Sequence, residues 1–266
     1  MNSNLLSAIK AALNAGREIL EIYNQNDFEI KIKSDNSPLT IADKKAHKII
    51  TEELLATNIK MLSEEGKNIP FKERHEWEQY WLVDPLDGTK EFIKRNGEFT
   101  INIALIKRNT PVLGVIYVPV TKDLYFSEES LGAYKTINID YETDTSDLNK
   151  IVGSSFKLPF IEKNETYTVV GSRSHMNEDT EEFIAKLKKE YGEIDFISKG
   201  SSLKICMVAE GIANIYPRFA PTMEWDTAAG HAIALGAGCT VTQSNESSPV
   251  IYNKENLLNP WFIIKR

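Results

Sequence analysis

The run Tyr80-Trp81-Leu82-Val83-Asp84-Pro85-Leu86-Asp87-Gly88-Thr89 constrains this chain more than any other stretch. Its four apolar residues read as a buried strand, and the Asp-Pro and Asp-Gly dipeptides then stop that strand in a tight turn. Two carboxylates, Asp84 and Asp87, are thereby delivered to one strand end.

Elements on either side give this strand its setting. Leu5 to Tyr23 carries apolar residues at mostly three-to-four residue spacing and predicts an amphipathic helix; Phe28 to Lys33 alternates as a short strand; Thr40 to Leu55 predicts a second helix. Beyond the turn, Phe99 to Ile106, Val112 to Tyr117 and Leu124 to Phe126 read as an antiparallel meander broken by Asn109-Thr110-Pro111 and Pro119. The polar stretch Asp140 to Lys150 follows, either a domain boundary or a long loop. The second half alternates strand and helix: strands at Thr168–Gly171, Asp195–Ser198, Asn214–Tyr216 and Thr240–Thr242, helices at Glu178–Tyr191, Ser202–Glu210 and Trp225–Leu235. The expectation is a mixed α/β (α+β) chain: an N-terminal α+β lobe over residues 1–145 and a C-terminal α/β lobe over 146–266, with the site in the cleft between them.

Composition narrows the function. With 42% hydrophobic residues in 266, the chain can bury a large core, and its net charge of -7 argues against a nucleic-acid polymer as partner. Two cysteines, Cys206 and Cys239, lie in apolar stretches and suggest buried thiols in a reducing compartment rather than a disulfide or zinc framework. No apolar run reaches the ~18 residues that span a bilayer, and no leader is evident, so a soluble cytoplasmic protein is expected. Peripheral attachment to the cytoplasmic face of the inner membrane stays open.

Magnesium favours a few carboxylate oxygens completed by waters and substrate phosphate. Asp84 and Asp87 supply such oxygens, Leu86 between them offers its backbone carbonyl, and Glu64 stands in Leu62-Ser63-Glu64-Glu65-Gly66 after another apolar segment. Asp226 opens Trp225-Asp226-Thr227-Ala228-Ala229-Gly230. Taken singly each has an ordinary explanation, as turn former, solvated loop charge or helix cap.

Taken together, Glu64-Glu65, Asp84-Pro85-Leu86-Asp87-Gly88-Thr89 and Trp225-Asp226-Thr227-Ala228-Ala229-Gly230 resemble, in order and spacing, the magnesium-dependent, lithium-sensitive phosphatase superfamily of inositol monophosphatases and fructose 1,6-bisphosphatases. Within it the chain is most similar to the bacterial 3'(2'),5'-bisphosphate nucleotidases, through Lys90-Glu91-Phe92, Ser172-Arg173-Ser174-His175, Gly200-Ser201-Ser202-Leu203-Lys204 and Tyr216-Pro217-Arg218-Phe219. Only Leu131 to Tyr167 matches no motif.

The resemblance implies a layered αβαβα sandwich and two or three Mg2+ ions held by Glu64, Asp84, the Leu86 carbonyl, Asp87 and Asp226. It implies that Asp43 and Thr89 orient and deprotonate the attacking water. The substrate would touch the metal-site residues Glu64, Leu86, Asp87 and Asp226 together with Gly88 and Thr89, where the turn enters a helix, while Ser172, His175, Gly200 and Lys204 meet the nucleoside side. Arg218 is a further candidate phosphate contact. The implied reaction is hydrolysis of adenosine 3',5'-bisphosphate to AMP and phosphate, with 3'-phosphoadenylyl sulfate as a second substrate, both in sulfate assimilation. The alternative is an inositol monophosphatase or sugar-phosphate phosphatase with the same metal chemistry. Monomer and homodimer are both compatible with the sequence.

Overall fold

The structure, a computed structural model, describes residues 2–25, 30–32, 38–162, 164–172 and 176–266. In chain order the elements are α1 (Asn2–Tyr23), β1 (Ile30–Ile32), β2 (Pro38–Thr40), α2 (Ile41–Leu55), β3 (Lys60–Ser63), α3 (Phe71–Arg74), β4 (Gln79–Asp87) and α4 (Thr89–Ile93). Then follow β5 (Thr100–Lys107), β6 (Thr110–Val118), β7 (Asp123–Glu128), β8 (Gly132–Thr136), α5 (Leu148–Gly153), β9 (Phe156–Lys157) and β10 (Tyr167–Gly171). The chain closes with α6 (Glu178–Tyr191), β11 (Ile194–Ser198), α7 (Leu203–Glu210), β12 (Ile215–Arg218), α8 (Glu224–Gly236), β13 (Thr240–Gln243) and β14 (Phe262–Lys265).

Alternation of side chains along the strands sorts these elements into layers. The first sheet runs β3-β4-β5-β6-β7-β8-β9, parallel only at β3–β4. One of its faces presents Trp81, Val83, Ile101, Ile103, Val115 and Phe126 to the apolar sides of α1 and α2. The other presents Tyr80, Leu82, Ala104, Ile116 and Tyr125 to a core shared with α7, α8 and the near face of the second sheet, which contributes Val170, Tyr216, Phe262 and Ile264. The second sheet, β11-β10-β12-β14-β13, turns Val169, Ile215 and Ile263 outward to meet Leu187 of α6. Helix, sheet, helix, sheet, helix is the αβαβα sandwich expected.

The meander was legible and is longer than read, because β8 continues it and β9 adds a two-residue edge. The short strand read over Phe28 to Lys33 is described only as Ile30–Ile32, pairing antiparallel with β2; its remaining residues lie outside the described residues. Residues 148–157, read with the second lobe, hold α5 and β9 against the first sheet, so the chain crosses to the second sheet only at β10. Both cysteines are buried and free. No helix among the described residues is long and apolar enough to cross a membrane.

Candidate active site

β4 brings its carboxylates to the end of the first sheet beside its parallel neighbour. β3 stops at Ser63, opposite Val83, and the Glu64 N–H donates to the Val83 carbonyl at 3.1 Å, which sets Glu64 alongside Asp84. Past Asp84 the pairing with β5 slips: Asp84 faces Asn102 but Asp87 faces Thr100, three residues on one strand against two on the other. Pro85, with no N–H to give the ladder, sits in this irregularity. The Leu86 N–H turns back to donate to Asp84 Oδ1 at 3.1 Å. Gly88, at φ +93°, takes the left-handed conformation that a Cβ would oppose and leads into α4, a helix of only five residues.

Asp43 and Thr89 meet here as a pair. Asp43 Oδ2 closes the capping box of α2, accepting from the Thr40 backbone N–H at 2.8 Å and the Thr40 hydroxyl at 2.6 Å. Its second oxygen, Oδ1, accepts from Thr89 Oγ1 at 3.2 Å, and Thr89 Oγ1 also stands 3.4 Å from the Leu86 carbonyl. The helix cap thus fixes the carboxylate that Thr89 uses.

Asp226 arrives from the other half, in the first turn of α8, where its Oδ2 accepts from the Met223 N–H at 2.8 Å. Burial pushes the Asp84 carboxyl well above the usual carboxylate range, reinforced by Glu64, Asp87 and Asp226; burial and then Asp87 push Asp226 up likewise. With Glu64 and Asp87 beside them opposing their ionisation, Asp84 and Asp226 form a site that calls for positive charge, and all-oxygen donors suit a hard cation. They adjoin as neighbours: among the described residues no three His, Cys, Asp or Glu side chains are closed into a finished cluster for one ion.

Beside them lies a cavity of about 130 Å³, walled by Asp87, Gly88 and Glu91 from the first half and by Ser172, Gly200, Lys204, Arg218 and Asp226 from the second. Lys204 is buried, and its Nζ donates to the Ser201 carbonyl at 2.5 Å and the Lys199 carbonyl at 3.3 Å. Burial lowers its pKa to about 8, with Asp87 opposing that shift. Arg218 donates to the Pro221 carbonyl at 3.0 Å, while its buried Nε has no hydrogen-bond partner. His175 lies outside the described residues.

Sequence reading passed over Thr100, Asn102, Ser201 and Ser202, which surround Asp87. The two serines sit between Gly200 and Lys204, in a stretch that carries the family resemblance, yet nothing local tells where their hydroxyls point.

Comparison with known proteins places this arrangement. Residues 1–261 match the inositol monophosphatase family, and the chain belongs to that family. It is 44% identical over 254 residues to the 3'(2'),5'-bisphosphate nucleotidase CysQ of Salmonella typhimurium, covering 94% of this chain and 95% of that one, and 42% identical to CysQ of Escherichia coli K12. The crystal structure of CysQ from Bacteroides thetaiotaomicron superposes with a TM-score of 0.92 at 54% identity, covering 100% of this chain and 97% of that one. The expected resemblance to bacterial bisphosphate nucleotidases, and with it the expectation of an enzyme that hydrolyses phosphoric monoesters, is borne out.

Proposed function

We propose that this chain is a Mg2+-dependent 3'(2'),5'-bisphosphate nucleotidase that removes the 3'-phosphate of adenosine 3',5'-bisphosphate, giving AMP and phosphate. The observation that carries this reading is the meeting of Glu64, Asp84, Asp87 and Asp226 beside the Asp43–Thr89 pair, in a chain so similar to CysQ. Glu64, Asp84, the Leu86 carbonyl, Asp87 and Asp226 would hold two or three Mg2+ ions, which when bound supply charge neutralisation for the phosphoryl oxygens and a water of lowered pKa. Thr89 Oγ1, donating to Asp43 Oδ1, has lone pairs left to accept from the attacking water. As the water oxygen bonds to phosphorus, its proton passes to Thr89 and the Thr89 proton to Asp43. The ribose 3' oxygen leaves with the bond electrons and takes up a proton as the hydroxyl.

On the second half, Ser172, Gly200 and Lys204, with Arg218, bound the cavity where the nucleoside side would rest, and His175 is assigned to the same group. The setting proposed is cytoplasmic sulfate assimilation, with 3'-phosphoadenylyl sulfate as a second substrate and lithium as an inhibitor. The test is phosphate release from adenosine 3',5'-bisphosphate, inositol 1-phosphate and fructose 1,6-bisphosphate, each with and without Mg2+. Fast Mg2+-dependent release from the nucleotide is expected, with Asp87→Ala lowering kcat/KM by roughly 10³-fold or more. Faster release from inositol or sugar phosphate would keep the metal chemistry and overturn the nucleotide.

A further inference from the structure

Asp87 is gripped from across the molecule. Ser201 Oγ donates to Asp87 Oδ2 at 2.8 Å, Ser202 Oγ at 2.9 Å, and Asn102 Nδ2 stands 3.4 Å from the same oxygen. All three approach Oδ2, which leaves Oδ1 for another partner. The Ser202 hydroxyl also reaches the Asp226 carbonyl at 2.9 Å, so one side chain touches both halves of the carboxylate set.

The loop that presents these serines is itself fastened to the first half. Glu98 accepts from the Gly200 N–H at 2.8 Å and pairs with Lys199 at 3.1 Å. Gly200 lies so near that a Cβ would stand 3.0 Å from the Glu98 carbonyl and 3.1 Å from the Glu98 Cβ, closer than side chains normally approach. Thr100 Oγ1 lies 2.6 Å from Ser201 Oγ, and Asn102 Nδ2 donates to Ser202 Oγ at 2.8 Å.

Ser201 Oγ accepts from the Ser202 N–H at 2.6 Å and keeps its hydrogen for Asp87, and two local features set this pair apart from ordinary loop serines. Ser201 adopts φ +52°, a left-handed conformation uncommon for a residue with a side chain and enriched where surroundings impose it. Ser202 occupies the N-cap position of α7, where serine ordinarily bonds the helix N–H groups, yet its side chain makes no cap bond.

We infer that Ser201 and Ser202 are positioning residues for Asp87: a loop of the second half, held by Glu98, fills Asp87 Oδ2 with hydroxyl donors and so aims Oδ1 at the cation. This rests on the metal reading proposed above. Partners that orient a ligating carboxylate typically change metal affinity by about 10–100-fold when removed.

The test is Mn2+ binding to the substrate-free protein, followed by electron paramagnetic resonance. Ser201→Ala and Ser202→Ala should each weaken Mn2+ by about 10-fold, the double variant more, and Glu98→Ala should follow them because it frees the loop. Apparent Mg2+ affinity in turnover should fall in parallel, with a smaller loss of kcat at saturating Mg2+. Ser202→Ala takes a hydrogen-bond partner from Asn102 and from the Asp226 carbonyl and should lower the melting temperature while leaving the protein folded. Ser202→Thr, which restores the hydroxyl, should recover much of the affinity. Unchanged Mn2+ affinity in a folded double variant, beside a wild type that binds, would overturn the inference and leave the metal reading standing. A wild type that binds no Mn2+ would overturn both.

Discussion

Asp84 is 2% exposed and surrounded by carboxylates, so in the absence of a cation it is best accommodated with its proton on. A carboxyl whose folded pKa is raised contributes stability that is present below its unfolded pKa and is lost as pH rises through the folded value. Asp226 acts in the same direction. His231 acts in the opposite one: burial holds its pKa at about 3, so its contribution is complete above the unfolded value and is lost as pH falls towards about 3. In chelator, the two carboxyls should therefore lower the melting temperature as pH is raised, a decline that His231 offsets below its unfolded value of about 6.5 and no longer offsets above it. Mg2+ should restore more at the higher pH, where the cation no longer competes with protons. Calorimetry in the two conditions checks this, and a metal-free profile that stays flat above that value would contradict it. At this scale the carboxylates were legible because they stand in turns with a distinctive order. Their partners were not: Thr100 meets Ser201 across 101 residues and Asn102 meets Ser202 across 100, and each reads locally as an ordinary strand or cap residue.

α2 begins with a device that, on the function proposed, would join stability to chemistry. Thr40 and Asp43 form its capping box, and Asp43 also receives Thr89. Thr40→Ala should cost about 1 kcal/mol of stability in denaturant unfolding and also lower kcat, since Asp43 loses the hydroxyl that holds Oδ2. Thr89→Ala should lower kcat by roughly 10²-fold or more while shifting the unfolding midpoint far less. Equal effects of the two substitutions on stability would show that the pair is a structural clasp alone. Elements with long periodic faces, α1, α2, α6 and α8, were legible within a few residues of their ends. The segment that matched no motif contains β8, the six-residue α5 and the two-residue β9, all too short to display a period. β14 was also passed over: Phe262-Ile263-Ile264-Lys265 is a brief apolar run, and its place between β12 and β13 is set by pairing rather than by local sequence.

Across the whole molecule, α8 is the helix packed closely on both sides. It lies between the sheets and carries Asp226, and β6 passes so close that a Cβ on Gly114 would come within 2.9 Å of the Ala232 Cβ and closer still to the Ala229 carbonyl. On its other side, a Cβ on Gly230 would meet the Ile205 side chain. Gly114→Val should destabilise by about 1–3 kcal/mol and, by displacing α8, weaken Mn2+ binding although no ligand is altered. Intact metal affinity in a destabilised Gly114→Val protein would show that α8 slides without carrying the site with it.

The thin waist of α8, built from Ala228, Ala229, Gly230 and Ala232, gives the sandwich a gradient of freedom to evolve. On the outer face of α6, Glu181 and Lys188 look into solvent and can be rewritten at little cost to the fold. In the middle layer an added methyl has no free space: on Gly230 it would meet the Ile205 side chain of α7. Lineages of this chain should therefore diverge from the outside inward, with the central helix the last part to change.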